Sequence, residues 1–155
     1  MARRQAAYIR TVHQLPDALT ERELYQVLSD CGVEIGRLPR QYPPELVIGH
    51  RLYLRCDLLS VERLWWGTHG LHHVIFHMGN QFRFSLSTVW QQEHQADLFA
   101  GWLLIGPTYE RYCQYEDTQL TVWDMAEEAS VPPQMAWRWL QMIQHDQQRG
   151  YRYAV

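Results

Sequence analysis

Apolar residues recur at helical spacing over most of this chain and at strand-like density over one short stretch. Residues 3–14 predict a helix with Tyr8, Ile9 and Val12 on one stripe and Pro16 shortly past its end. Thr20, with Glu23 three positions on, has the pattern of a capping box ahead of Leu24, Val27 and Leu28, and Gly32 supplies the stop. The runs ELVIGH (45–50) and RLYLRC (51–56) are rich in β-branched and aromatic residues and read as strands, either a hairpin or one long edge strand. A helix beginning near Ser60 runs through LWWGTHGLHHVIFHM and stops at Gly79-Asn80. After a short loop, Thr88 with Gln91 opens a helix through WQQEHQADLFAGWLLI, halted by Gly106-Pro107. From 121 to 148 the pattern gives a short helix, a Val-Pro-Pro turn and a longer helix, a helix-turn-helix shape.

These elements add up to an α+β fold, mostly helical with a small sheet. A length of 155 residues allows one domain with a real core but not two full-sized ones. The expected divisions of that single domain are N-terminal helices (1–44), a central core (45–107) and a C-terminal helical segment (108–155). At 46% hydrophobic and 20% charged residues the chain is of ordinary globular composition, and a net charge of -3 argues against a polybasic nucleic-acid or membrane-surface binder. All 14 basic residues are arginine, which removes Schiff-base chemistry and the P-loop lysine. Cys31, Cys56 and Cys113 are scattered, without the even, clustered spacing of a disulfide framework, so they read as buried small apolar residues in a reducing compartment. With no long apolar run and no signal-peptide pattern, a cytoplasmic location without membrane contact is expected. The tryptophans at 65, 66, 90, 102, 123, 137 and 139 fall on helical stripes and read as core.

The chemistry concentrates in HGLHHVIFH (69–77). His69 and His73 are four positions apart, so on a helix both imidazoles lie on one face and reach one cation. In zinc peptidases the same turn carries HExxH, whose Glu acts as general base. Here that position is Gly70. His72 lies about 100° round the helix from His73 and points away from a shared cation. His77 is about 12 Å along the axis from His69, which makes it a structural residue at the helix end. On the next helix Glu93 and Asp97 share a face that can turn toward the histidines. Glu93 is the candidate third ligand, with the fourth position open to water, and Asp97 is the candidate support that accepts from the second nitrogen of a ligating imidazole.

The run at 69–77, followed by EHQADLFAGWLLIGP at 93–107, resembles the ImmA/IrrE group of small bacterial and phage metallopeptidases. Their pattern is an HELGH-type helix with a further His at its end, then a helix with E-x-x-A-[ND]-x-F-A-x-x-L-L and a proline after it. His69, Leu71, His73 and His77 fall in that register, as do Glu93, Ala96, Asp97, Phe99, Ala100, Leu103 and Leu104. The resemblance implies a zincin-like core and one zinc per chain on His69, His73 and Glu93. It also implies a helix-turn-helix repressor as substrate or binding partner, in phage, mobile-element or stress regulation.

Gly70 departs from that pattern. A missing general base costs about 10²–10⁴ in rate, so the resemblance implies impaired catalysis, and restoring Glu at position 70 is expected to supply both the base and a better helix former. Natural loss of catalysis, deliberate inactivation and a different base all remain open. The rival reading is a non-catalytic protein that captures a repressor or antitoxin. A DNA-binding regulator ranks below both, because Glu116, Asp117, Asp124, Glu127, Glu128 and Asp146 outnumber Arg138, Arg149 and Arg152 in the C-terminal segment.

Overall fold

The computed structural model describes residues 1–77, 85–113 and 121–148. Within them it holds seven helices and one three-stranded mixed sheet, an α+β architecture. The helix stop expected at Gly79-Asn80 and the charged residues Glu116, Asp117, Arg149 and Arg152 lie outside the described residues.

Helix α1 (Ala2–Val12) buries Ala2, Ala6 and Ile9, whereas Tyr8 and Val12, expected on the inner stripe, face solvent. The small residues let α1 lie close along the later helix α4 (Leu86–Leu104). Arg10 on α1 donates from Nη1 to the Leu103 carbonyl at 2.6 Å and so satisfies an end group of that helix. Helix α2 (Glu21–Asp30) begins with the anticipated capping box: Thr20 N donates to Glu23 Oε2 at 2.8 Å and Glu23 N to Thr20 Oγ1 at 3.4 Å.

The stretch 45–56 is a hairpin of β2 (Glu45–Ile48) and β3 (Arg51–Arg55), turned at Gly49 with φ +60°. A third strand, β1 (Glu34–Leu38), pairs in parallel with β3, so the order is β1-β3-β2 and residues 1–44 are not purely helical. The sequence conceals β1 because EIGRL has two apolar side chains and a glycine. That glycine is required: a Cβ on Gly36 would stand 2.4 Å from a ring carbon of Tyr53, which covers it from the paired strand.

Helix α3 (Ser60–Phe76) is capped at Leu59, whose N–H donates to Glu62 Oε2 at 2.8 Å. Ser60 opens this helix as expected, and its hydroxyl donates to Glu21 of α2. Helix α4 starts earlier than Thr88, since Ser85 is its cap and accepts from Thr88 N at 3.3 Å. Gly106-Pro107 does not end the helical path: after Ile105 it forms the first turn of α5 (Gly106–Cys113), where proline has no helical donor to lose. Helices α6 (Val122–Glu128) and α7 (Pro133–Gln148) form the expected helix-turn-helix outline, with Ser130 at φ +53° in the turn.

Helix α3 packs on β2 and β3 and against α4, which is covered in turn by α1 and α7. Leu24, Leu28, Leu52, Leu71, Phe99, Leu103 and Trp139 are among the fully buried side chains at the centre. Two expectations are corrected here. Trp65, Trp102 and Trp139 are core residues, but Trp90, Trp123 and Trp137 are exposed, because the faces that carry them have no covering element among the described residues. Cys56 and Cys113 are exposed and Cys31 is half-buried, so none is a fully buried apolar residue. No helix among the described residues is long and apolar enough to cross a membrane.

The indole of Trp139 packs against Gly101 on α4, where a Cβ would stand 1.9 Å from its Cδ1. Gly101→Ala is therefore expected to destabilise the chain by about 1–3 kcal/mol despite the better helix propensity of alanine, read as a lower denaturant midpoint with an unchanged slope.

Candidate metal centre

The wall of α3 that faces β2 and α4 is polar in the middle of an apolar core. Thr68, His69, His72 and His73 are all buried there, as is Asp97 on α4. One turn of helix separates His69 from His73, and their ring centroids are 4.9 Å apart.

Each imidazole is approached from two sides. Behind His69, Glu45 at the start of β2 places Oε1 2.6 Å from Nδ1. In front, His69 Nε2 lies 3.7 Å from Glu93 Oε2 and 3.6 Å from Asp97 Oδ1. His73 Nε2 lies 3.4 Å from Glu93 Oε1, while His73 Nδ1 is 3.1 Å from Nδ1 of His77. Glu45, His69 and His73 have ligand-type atoms within 4.8 Å of one another, a group that could hold a metal ion. The Glu93 side chain is 43% exposed, so the front of the cluster opens to solvent there.

The sequence-derived candidates thus meet, with one change of role. His69, His73 and Glu93 converge. Asp97 stands on the same side of His69 as Glu93 instead of behind it, and is held by Arg138 of α7, whose Nη2 donates to Oδ2 at 2.5 Å. The supporting carboxylate behind His69 is Glu45, which sequence reasoning missed. Its only signal was an acidic residue opening an otherwise apolar strand.

Gly70 faces the sheet. A Cβ there would stand 2.3 Å from Leu52 Cδ1 and 2.8 Å from Glu45 Oε2, and Leu52 is completely buried. The expectation that Glu at position 70 would simply add a base and stabilise the helix is therefore corrected: the space is taken by Leu52 and by the carboxylate that holds His69. His72 behaves as expected in turning away. It is wholly buried against Phe76, Phe99 and His77, with Nε2 3.2 Å from Gln5 Oε1. His77 ends α3 as expected, but its ring also touches His73.

Electrostatics sort the histidines. Burial works to lower the pKa of His69, but Glu45, Asp97 and Glu93 more than offset it and raise it to about 9. Burial, reinforced by neighbouring histidines, lowers His72 to about 2, and burial with the charge of His69 lowers His73 to about 4. Burial also lowers His77. Burial raises the Asp97 carboxyl, against the pull of His69 and Arg138. At neutral pH the imidazolium of His69 therefore sits beside neutral rings, with the side chains of Glu45, Glu93 and Asp97 around it.

No protein-family model matches the chain, and no curated protein matches it in sequence.

The two directions of shift set a pH profile for the chain held metal-free with chelator. The contribution of His69 is complete below its unfolded value of 6.5 and is lost as pH rises through about 9. His72 and His73 act oppositely: above 6.5 they carry no penalty, and stability falls as pH drops from 6.5 toward about 4 and below. Their part of the profile peaks near 6.5, each limb sloping by at most about 1.4 kcal/mol per pH unit for each group. Urea titrations from pH 5 to 9 should show both limbs, with His69→Gln flattening the alkaline one and His72→Leu part of the acid one.

Proposed function

We propose that the chain binds one zinc ion through Nε2 of His69, Nε2 of His73 and Glu93, in a zincin-like core of the ImmA/IrrE kind. The observation that carries this reading is the pair of separations by which the Glu93 carboxylate faces both imidazoles, Oε2 to His69 Nε2 and Oε1 to His73 Nε2. At 3.4 and 3.7 Å they are long for hydrogen bonds. Two ligands on one tetrahedral zinc, each about 2.0–2.1 Å from it, stand about 3.3–3.5 Å apart. By the same measure Glu45, at 2.6 Å from His69 Nδ1, is a hydrogen-bond acceptor in this arrangement and supports the ligand from behind. Asp97 Oδ1 has a similar spacing to His69 Nε2, 3.6 Å, but its other oxygen is held by Arg138, so Glu93, which faces both imidazoles, is assigned as the ligand and Asp97 as an acidic group beside the cation.

Zinc in such a site polarises a carbonyl and lowers the pKa of water, and peptidases pair it with a carboxylate that takes the proton. At position 70 this chain has no such group, and admitting one would displace the ends of the Leu52 and Glu45 side chains. That favours a zinc-dependent recognition protein with impaired catalysis. The partner it suggests, from the sequence resemblance, is a helix-turn-helix repressor, bound as a substrate or simply captured. Residues 121–148, the helix-turn-helix outline, have four acidic side chains and one arginine, which supports protein recognition over DNA binding.

Metal analysis after zinc reconstitution and dialysis should give one equivalent per chain, and a value near zero sinks the reading. Glu93→Ala and His73→Ala should each weaken zinc by at least tenfold in chelator competition, while Glu127→Ala on α6 leaves it unchanged. Gly70→Glu should bind zinc more weakly and should not gain peptidase activity on a helix-turn-helix repressor. A variant that gained activity about 10²-fold would restore the simple missing-base account.

A further inference from the structure

Both candidate ligand histidines present Nε2 to the front of the cluster, and a neutral imidazole can do so as a ligand only if its proton sits on Nδ1. For His69 the carboxylate of Glu45 accounts for this, since a carboxylate accepts and never donates when ionised. His73 is backed by a ring instead of a carboxylate oxygen at Nδ1. Its Nδ1 faces another imidazole nitrogen, Nδ1 of His77, at 3.1 Å, and either ring could be the donor.

The ambiguity is resolved one residue further away. His77 Nε2 lies 3.3 Å from Oε1 of Gln95 on α4. With the Gln95 amide oxygen turned toward it, the neutral His77 ring carries its proton on Nε2, because an amide oxygen only accepts. Nδ1 of His77 is then a lone pair, the hydrogen in the 3.1 Å contact belongs to His73 Nδ1, and the lone pair of His73 is left on Nε2, toward Glu93. The rings are fixed as well as polarised. His77 ends α3, with its backbone N–H donating to the His73 carbonyl at 3.2 Å, and its ring packs edge-on to His72 with centroids 4.6 Å apart.

We propose that Gln95 and His77 form a hydrogen-bonded relay that sets the tautomer of His73 and so presents its Nε2 to the cation. Both are positioning residues, not ligands. The proposal rests on the zinc reading for its purpose but not for its test. The acceptor comes from the helix that also carries Glu93, so α4 supplies one group to the front of His73 and, two residues on, the group that orients it from behind.

The test uses the full chain in two states. In the metal-free protein at pH 7.5, long-range ¹H–¹⁵N correlation spectra report the tautomer of each histidine. His73 should be protonated on Nδ1 and His77 on Nε2. Gln95→Leu, at a half-buried position, removes the acceptor and should shift His73 toward the Nε2-protonated form. Gln95→Glu keeps an acceptor in place and should keep the wild-type tautomer. In the second state, chelator competition should show zinc bound about 10–100-fold more weakly by Gln95→Leu and by His77→Phe, the usual cost of losing an outer partner of a ligand, with Gln95→Glu at or above wild-type affinity. Circular dichroism and urea titration confirm that each variant is folded before it is scored. Wild-type His73 protonated on Nε2, or a Gln95→Leu variant with unchanged tautomer, overturns the relay. Because the tautomers are read without metal, they decide the relay even if metal analysis defeats the zinc reading.

Discussion

The hydrogen bond between Glu45 and His69, 2.6 Å long and almost wholly removed from water, is the constraint around which the site is arranged. It joins the first residue of an edge strand to the middle of the central helix, and so fixes the face of α3 that meets the sheet. Once that face is fixed, Gly70 must lie against Leu52, His73 must look toward α4, and His72 must turn into the apolar layer with Phe99. Removing the Glu45 carboxylate would leave a buried imidazolium with less compensation, and burying a charge is the costliest error a core can contain.

Much of this was legible in the chain. Helical spacing alone placed His69 and His73 on one face and Glu93 and Asp97 on another, and the two faces do meet. The capping box at Thr20 and the outline of α6 and α7 were equally plain, because their signals are local. What escaped was whatever depends on long-range partners. Strand β1 owes its existence to pairing with β3 and to the ring of Tyr53 over Gly36, neither of which five residues of sequence can announce. The same is true of Glu45, an acidic residue in a strand that acquires meaning only when a histidine far along the chain is set beside it. Asp97 was assigned to the back of an imidazole because that is where supporting carboxylates commonly sit, whereas the pitch of α4 carries it to the front.

Gly70 shows how a motif can be read correctly and its consequence misread. The absence of a carboxylate in the HExxH position is plain in the sequence, and an isolated helix would accept one at that point. In the folded chain the position is part of a helix–sheet contact, and its neighbours have closed over it. The space a side chain would need there is filled by Leu52 and by the Glu45 carboxylate that orients His69, both of which would have to shift to admit one.

The seating of α7 carries a last consequence. Arg138 and Trp139 are adjacent in sequence, and they meet Asp97 and Gly101, which are one turn apart on α4. One anchor is ionic and one is aromatic, and the ionic one ends on a carboxylate within the cluster. The segment with the helix-turn-helix outline is thus fixed to α4 at two adjacent points. Arg138 ties the carboxyl of Asp97 to α7, one residue from the exposed ring of Trp137, so the wall of the cluster is built partly by the last described helix of the chain.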